Sequence, residues 1–436
     1  MQLTVESVLN EAGTGRFQRR LLAVFGLVWT ADAMQVLAVG FTAASIAATF
    51  AVSVTEALQT GTLFFLGMLI GASLFGQLAD RFGRRRVLLI TVACDAVFGL
   101  LSVFAPNLTT LFLLRFLTGM AVGGTLPVDY AMMAEFLPSK NRGRWLVLLE
   151  GFWALGTVVV ALAAWVASVY VTSDAWRWIF AVTALPALTG IWLRFWVPES
   201  PLYLQRTGQG DELRSTLNLV LRTNGKPELH RKDVIASSPT APGSGIFSPS
   251  LRRRTISILT VWFLVSISYY GVFTWLPARL TEQGFGYVRG YGFLVVVALA
   301  QIPGYALAAW GVEALGRKPT LIAFLLLSAL GCALFLIADD AYGTGGAILL
   351  MSFALLGTWG ALYAFTPELF PTSLRGTGMG AAGSVARLGG LLAPSALAVV
   401  FSYDFAVAIA LFAGLLALAA VAAWFVDAET REVVLL

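Results

Sequence analysis

Apolar residues run in long unbroken stretches along this chain, and the polar positions between them are short and bunched. A helix that crosses a bilayer needs about 20 largely apolar residues. About twelve runs approach or exceed that length, roughly at 20–48, 57–79, 86–105, 108–135, 144–170, 176–197, 255–280, 289–311, 319–337, 346–366, 377–401 and 404–426. Nothing in the pattern predicts a sheet. One polar stretch, near 203–254, interrupts the series; it holds a predicted helix near 209–222 and then a Pro/Ser/Gly-rich segment, ASSPTAPGSGIFSPS, of linker composition. The pattern predicts an N-terminal segment (1–18), a six-helix bundle (19–201), a connector (202–254), a second six-helix bundle (255–427) and a tail (428–436).

Composition agrees with this reading. The chain has 436 residues, 58% hydrophobic and 12% charged, against roughly 25% charged in a soluble domain, so it cannot cover itself with a solvated surface. Lys and Arg gather on one set of loops: Arg16, Arg19 and Arg20, Arg81 to Arg86, Lys140 to Arg144, the connector, Arg317 and Lys318, Arg375 and Arg431. That bias puts these loops and both termini in the cytoplasm. The net charge of +5 follows from the same loops and suits an anionic inner leaflet rather than nucleic acid. Cys94 and Cys332 fall inside apolar runs and offer no disulfide or metal framework. The start of the chain is polar, with no cleavable signal. No cofactor is expected.

The chain also repeats itself. GQLADRFGRRR at 76–86 returns as Glu313-Ala-Leu-Gly-Arg-Lys318, and Glu135-x-x-Pro138-x-x-x-Arg142-Gly143 returns as Glu368-x-x-Pro371-x-x-x-Arg375-Gly376. Both pairs share one offset, since Arg84 and Arg317, like Glu135 and Glu368, are 233 positions apart. Two motifs repeated at one spacing predict a duplicated membrane bundle. Gly-rich tracts at 119–124 and 376–390 suit close helix contact in lipid.

With these motifs the chain resembles the major facilitator superfamily over essentially its full length. GQLADRFGRRR matches the motif between spans two and three, and Arg115-x-x-x-Gly119-x-x-x-Gly123-Gly124 resembles the fourth-span motif. Pro198-Glu199-Ser200-Pro201 points to the branch of sugar porters, organic ion transporters and metabolite–proton symporters. The segments at 15–35, 126–129, 148–156 and 268–277 resemble bacterial niacin permeases and the synaptic-vesicle transporter-like proteins. The resemblance implies an all-α membrane protein with twelve transmembrane helices in two pseudo-symmetric bundles. It implies a multi-pass transporter of the cell membrane (the inner membrane of a bacterium), working as a monomer among lipids on a small-molecule substrate and protons. Two departures stand out. That subfamily usually has an acidic residue where this chain has Gln35, and the sugar-porter tail is echoed only loosely by the terminal AETRE.

Ionisable groups at membrane depth cost several kcal/mol, roughly 2.5–3.5 even on the lenient scale, so each calls for a partner, water or a function. Asp32 sits mid-span with Trp29 and Gln35 three residues to either side, near one helix face. Asp32 is expected to carry a proton or touch substrate, Glu150 and Asp129 to take part in coupling, Asp95 to be structural, and Arg115, near the outer end of its span, to snorkel or to form a structural tie. The sole His, His230, lies in the connector, so any proton relay must use carboxylates. Arg387, between Gly383 and Gly390, is placed to grip a substrate carboxylate through its two-pronged guanidinium. An internal countercharge role toward Asp32 or Glu150 stays open.

The resemblance to the synaptic-vesicle relatives places Trp153, Tyr269, Tyr270 and Trp359 in a pocket. Tyr363 joins Trp359 at i, i+4. The expected substrate set is therefore Asp32, Gln35, Trp153, Tyr269, Tyr270, Trp359, Tyr363 and Arg387, suited to a flat aromatic carboxylate such as nicotinate. Asp80, Arg81, Arg84, Glu135 and Arg142, with Glu313, Arg317, Glu368 and Arg375, are expected to form a cytoplasmic gate of salt bridges. An organic cation held by Asp32, a sugar or polyol, and a receptor that binds without transport are the competing readings. No enzyme reading survives, for want of a phosphate-binding loop, metal-ligand spacing or a membrane-embedded His.

Overall fold

The computed structural model describes residues 2–138, 142–171, 173–185, 196–230, 234–235, 245–282, 291–370, 374–403 and 405–430. A short helix α1 (Val5–Ala12) precedes the first half: α2 (Arg16–Phe50), α3 (Val54–Phe82), α4 (Arg84–Ser102), α5 (Leu108–Glu135), α6 (Arg142–Glu150), α7 (Phe152–Tyr170) and α8 (Ala175–Ala184). The connector holds α9 (Pro201–Arg206) and α10 (Gly210–Thr223). The second half contains α11 (Arg252–Glu282), α12 (Tyr291–Leu299), α13 (Gln301–Ala314), α14 (Arg317–Ile337), α15 (Ala341–Phe365), α16 (Arg375–Tyr403) and α17 (Phe405–Trp424). Among the described residues, nine helical stretches are long and apolar enough to cross a membrane. The Arg-led α4 and the stretches around α8 and α16 complete the series of twelve seen in the sequence.

Side-chain oxygens set several helix starts, satisfying backbone N–H groups that the first turn leaves bare. Ser53 and Glu56 form a capping box at α3. Asn107 caps α5 and Asp340 caps α15. Two of the apolar runs break within their length. The 144–170 run becomes α6 and α7, which part at Gly151, directly after Glu150. The 289–311 run becomes α12 and α13, which part around Ala300. Pro303 has no N–H to give to residue 299, which accounts for the second break.

Glycines decide how close the helices come. A Cβ on Gly67, Gly71, Gly119 or Gly123 would stand 2.0–2.2 Å from a backbone oxygen of the opposing helix, so α3 and α5 touch backbone to backbone. In the second half a Cβ on Gly304 would lie 2.2 Å from the Phe353 carbonyl oxygen, which brings α13 against α15. The halves meet along α3 with α16, α2 with α11, α7 with α12, and α6 with α13 and α15. The most buried apolar windows belong to α2 (83%) and α15 (78%), against 39% for α14 and α17; the former pair faces the seam and the latter the surrounding lipid.

At the Arg-rich end the N-terminal segment is more ordered than its composition suggests. The α1 helix buries Val5, Val8, Leu9 and Ala12, and it packs on α10. A two-residue parallel pairing, Gln2 with Val234 and Leu3 with Ile235, ties it to the connector. The pairing is two residues long, and the fold remains all-helical as the sequence predicts. Asn224, just past α10, accepts from Phe17 N at 3.0 Å and donates to Gln18 Oε1 at 2.8 Å, and Gln18 Nε2 donates to the Phe136 carbonyl at 3.1 Å.

Candidate functional site: an aromatic cavity at the seam of two helical bundles

The central helices carry aromatics on their inward faces, and these converge on one small cavity at the seam of the two halves. Trp153, two residues past the α6–α7 break, donates from Nε1 to the Tyr269 hydroxyl of α11 at 2.8 Å, a bond from one half to the other. Ring contacts continue the wall. Trp29 meets Trp153 at 6.1 Å and Tyr363 at 5.7 Å, Tyr269 meets Trp359 at 5.8 Å, and Tyr270 meets Phe65 across the seam at 4.6 Å, all edge-on. The rings touch one another, so a ligand must part them to enter.

Two charged side chains open into this aromatic shell, Arg387 and Glu150. Arg387, 6% exposed, folds back on its own helix and donates from Nη1 to the Gly383 carbonyl at 2.8 Å. A Cβ at Gly383 would stand 2.8 Å from that Nη1, so the glycine makes the room. The Arg387 Nε has no partner, and among the described residues no carboxylate lies within ion-pair distance of the guanidinium. The internal countercharge role is therefore not realised here as a direct contact. Glu150 is placed at the cavity by the break behind it, with Oε2 unpartnered. The Trp359 Nε1 and the Tyr305 hydroxyl are likewise unbonded. Buried polar atoms without partners are rare and costly; here several face one space, which suits a polar ligand group.

Six of the eight expected substrate residues line this cavity: Trp153, Tyr269, Tyr270, Trp359, Tyr363 and Arg387. Asp32 and Gln35 do not. Gln35 serves Arg115, accepting from Nη1 at Oε1 (2.7 Å) and from Nη2 at its backbone oxygen (2.9 Å). Arg115 is fully buried between the Phe64 and Phe180 rings, at 4.7 and 4.6 Å, and does not snorkel. Asp32, 1% exposed, lies one turn from Gln35 with Oδ2 unpartnered. Asp129 accepts from its neighbour Tyr130 N at 2.6 Å, and its Oδ2 is bare. Tyr305, Leu126 and Trp29 also line the cavity. Tyr305 was not anticipated; the polar pair Gln301 and Tyr305 at i, i+4 beside Pro303, in an otherwise apolar run, is the signal for it.

The charged ends of the two halves are built alike. Gly83 and Gly316 both have positive φ, +100° and +114°, a conformation that favours glycine. The helix after each is capped by a distant glutamate. Glu199 accepts from Arg84 N (3.1 Å) and Arg85 N (3.2 Å), and Glu429 accepts from Arg317 N (2.9 Å) and Lys318 N (3.0 Å). The next residue, Ser200 or Thr430, donates its hydroxyl to Glu135 or Glu368. Arg84 pairs with Glu135 at 3.2 Å; Arg317 pairs with Glu368 at 2.9 Å and with Glu313 at 3.3 Å.

These described ion pairs each lie within one half rather than across the inner face, because partners sit on adjacent helices of the same bundle. The halves still touch: a Cβ at Gly143 would lie 3.4 Å from Arg317 Nη2 and 3.6 Å from Glu368 Oε1. Arg142, beside it, is 3.9 Å from Glu6 of α1 and within electrostatic reach of Glu368. Arg81 is exposed, its guanidinium over the Phe82 ring at 5.4 Å. The side chains of Asp80 and Arg375 lie outside the described residues.

Known proteins share this plan. The chain is 37% identical over 385 residues to the niacin transporter NiaP of Acinetobacter baylyi, covering 87% of this chain and 86% of that one. It is 31% identical over 451 residues to the synaptic vesicle 2-related protein of Xenopus laevis, covering 98% and 81%. The fold superposes on the proton:xylose symporter XylE bound to 6-bromo-6-deoxy-D-glucose with a TM-score of 0.78 at 19% identity, covering 96% of this chain and 98% of the other. The profile of the Major Facilitator Superfamily matches residues 21–394 and 294–435. With its duplicated charge motifs and its helices in two bundles around a central cavity, this chain belongs to the Major Facilitator Superfamily, whose fold gives it twelve membrane-spanning helices.

Proposed function

We propose that this membrane transporter imports a small aromatic carboxylate of the niacin class together with protons, by alternating access at the seam of its two halves. The observation that carries the reading is Arg387: a buried guanidinium with a free Nε and, among the described residues, no carboxylate in ion-pair distance, set in a shell of Trp and Tyr. A guanidinium holds a carboxylate by parallel charge-assisted bonds, and edge-on aromatics take a flat ring. Glu150 stands in the same cavity; when protonated it offers an O–H to a ring nitrogen. The relative named a niacin transporter supports the same class. The protein works in the cell membrane as a monomer, with its Arg-rich loops and both termini in the cytoplasm.

Uptake of labelled nicotinate into proteoliposomes tests this. Arg387→Ala should lower uptake by about tenfold or more, since a charge-assisted bond contributes about 1.5–3 kcal/mol. Full uptake by that variant would remove Arg387 as the anion site. The bare Glu150 carboxylate amid aromatic faces favours one second reading, an organic cation. Competition by choline-like amines with indifference to nicotinate would select it.

A further inference from the structure

A second cavity lies away from the seam, at the Arg-rich end of the first half. It is a groove of about 490 Å³ where the end of α3, the start of α4 and the end of the 176–197 run meet the connector helices. One wall carries Phe82, Arg85, Arg86 and Trp196. The other is α10, which turns Glu212, Ser215, Thr216 and Leu219 into the groove. These four share one helix face, at i, i+3, i+4 and i+7. Leu213, Leu217 and Val220 of the same helix are buried, and α10 packs on α1 and α9. The groove thus stands between a largely polar face of α10 and the first turn of α4.

Its charges are unevenly used. Glu199 lines the groove, but both its oxygens already accept backbone N–H groups at the start of α4. Arg85 donates from Nε to the Val197 carbonyl at 2.7 Å. Arg86 and Glu212 are exposed in the same groove, and neither makes an ion pair or a side-chain hydrogen bond among the described residues. At the mouth, Arg20 stands 6.0 Å from the Trp196 ring and Arg81 stands 5.4 Å from the Phe82 ring. Four guanidinium groups against one uncommitted carboxylate give the described groove a positive field. Phe82 and Trp196 are 49% and 52% exposed and sit where apolar runs end, the level at which Trp meets lipid head groups.

We propose that this groove binds one anionic glycerophospholipid, phosphatidylglycerol by its head group. Arg86 takes the phosphodiester through charge-assisted hydrogen bonds. Phe82 and Trp196 receive the start of the acyl chains. The glycerol hydroxyls of the head group donate to Glu212 across the groove, with Ser215 and Gln209 as neutral partners. A head group with a carboxylate of its own would be repelled by Glu212, and one ending in ammonium would cancel the lipid's net charge and forfeit the arginine field. The bound lipid joins α4 to α10 and, through α10, to the docked α1 helix. The orientation proposed above decides only which leaflet supplies the lipid; the binding needs neither substrate nor transport.

Native mass spectrometry of the whole detergent-purified protein tests this, with phosphatidylglycerol and phosphatidylethanolamine of the same acyl chains as titrants. Wild type should hold one phosphatidylglycerol about fivefold or more tighter than phosphatidylethanolamine, the preference that one Arg near a membrane surface gives an anion. Arg86→Gln should weaken phosphatidylglycerol by about fivefold, with Tm in lipid-free detergent unchanged because the side chain is exposed. Arg252→Gln, at an exposed cation that begins α11, should bind as wild type does. Ser215→Arg adds a cation to the α10 wall and should tighten binding, a gain that misfolding cannot mimic. Unchanged affinity in Arg86→Gln or in Ser215→Arg overturns the proposal. So does equal weakening by Arg252→Gln, which would make the effect one of general charge, and so does equal affinity for the two lipids. Glycerophosphoglycerol, the head group without acyl chains, should compete poorly; competition at the lipid's own concentration would make the ligand a soluble anion and overturn the lipid site.

Discussion

The Gln35 carboxamide sits where a carboxylate would make a buried ion pair with Arg115, and it gives a neutral alternative. Arg115 has two of its nitrogens on Gln35, two ring faces against it, and an unpartnered Nε. Removing a partner from a buried charge costs far more than the bond is worth, because the charge stays buried. Gln35→Ala should therefore lower stability by about 3–5 kcal/mol, read as a fall in Tm of the detergent-purified protein, while Gln35→Met tests whether volume alone suffices. A Tm unchanged in the Ala variant would show that Arg115 finds water or another acceptor. The sequence marks Gln35 as a departure but not as Arg115's partner. Depth along a helix can be read from one chain; which neighbouring helix a residue faces depends on rotation and packing. Arg387, Trp153 and Tyr269 were legible because glycine room and motif context singled them out. Tyr305 was not, because one Tyr in an apolar run reads as ordinary core.

Packing of the elements rests on small residues more than on apolar ones, since lipid offers no hydrophobic reward for helix association. The α3–α5 contact is the clearest case, with four glycines from the two helices facing opposing carbonyls at 2.0–2.2 Å of a would-be Cβ. Gly119→Val must push α5 away from the Phe64 carbonyl, and no side chain can yield because the obstacle is backbone. The expected result is overpacking of at least 1–3 kcal/mol, roughly, seen as lower yield of monodisperse protein and a lower Tm. Gly76→Ala, where a Cβ meets open space, is the matched control and should leave both unchanged. Equal behaviour of the two variants would mean that α3 and α5 do not depend on this approach. The glycine tract was readable as a contact surface from sequence. The mid-span breaks were not: each lies inside a run apolar enough to read as one helix, and only Pro303 advertises one of them.

On the scale of the whole molecule, the duplication extends further than the two repeated motifs, and the tail is where it was hardest to read. The first half ends in Pro198-Glu199-Ser200 and the second in Ala428-Glu429-Thr430. The two share little beyond an acid followed by a hydroxyl, yet those are the atoms that cap the helix after Gly83 or Gly316 and reach Glu135 or Glu368. Each bracket lies within its own half, and we propose that the two together shape the inner ends that touch at Gly143 in the alternating-access cycle. Each glutamate places a negative charge on a helix N-terminus, an interaction of about 0.3–1 kcal/mol, up to about 2 kcal/mol where partly buried. Gln in its place keeps the shape, removes the charge and has one acceptor oxygen rather than two. Glu199→Gln and Glu429→Gln should therefore shift the equilibrium toward inner opening in the same sense, each by about fivefold for 1 kcal/mol. The two sites lie in opposite halves, so the double variant should show the product of the single effects. The readout is the modification rate of a cysteine introduced at the cavity by Leu126→Cys, using an impermeant thiol reagent added from the cytoplasmic side. A response from one glutamate alone would mean that only one half carries the latch, and the symmetry of the fold would then not be a symmetry of the mechanism.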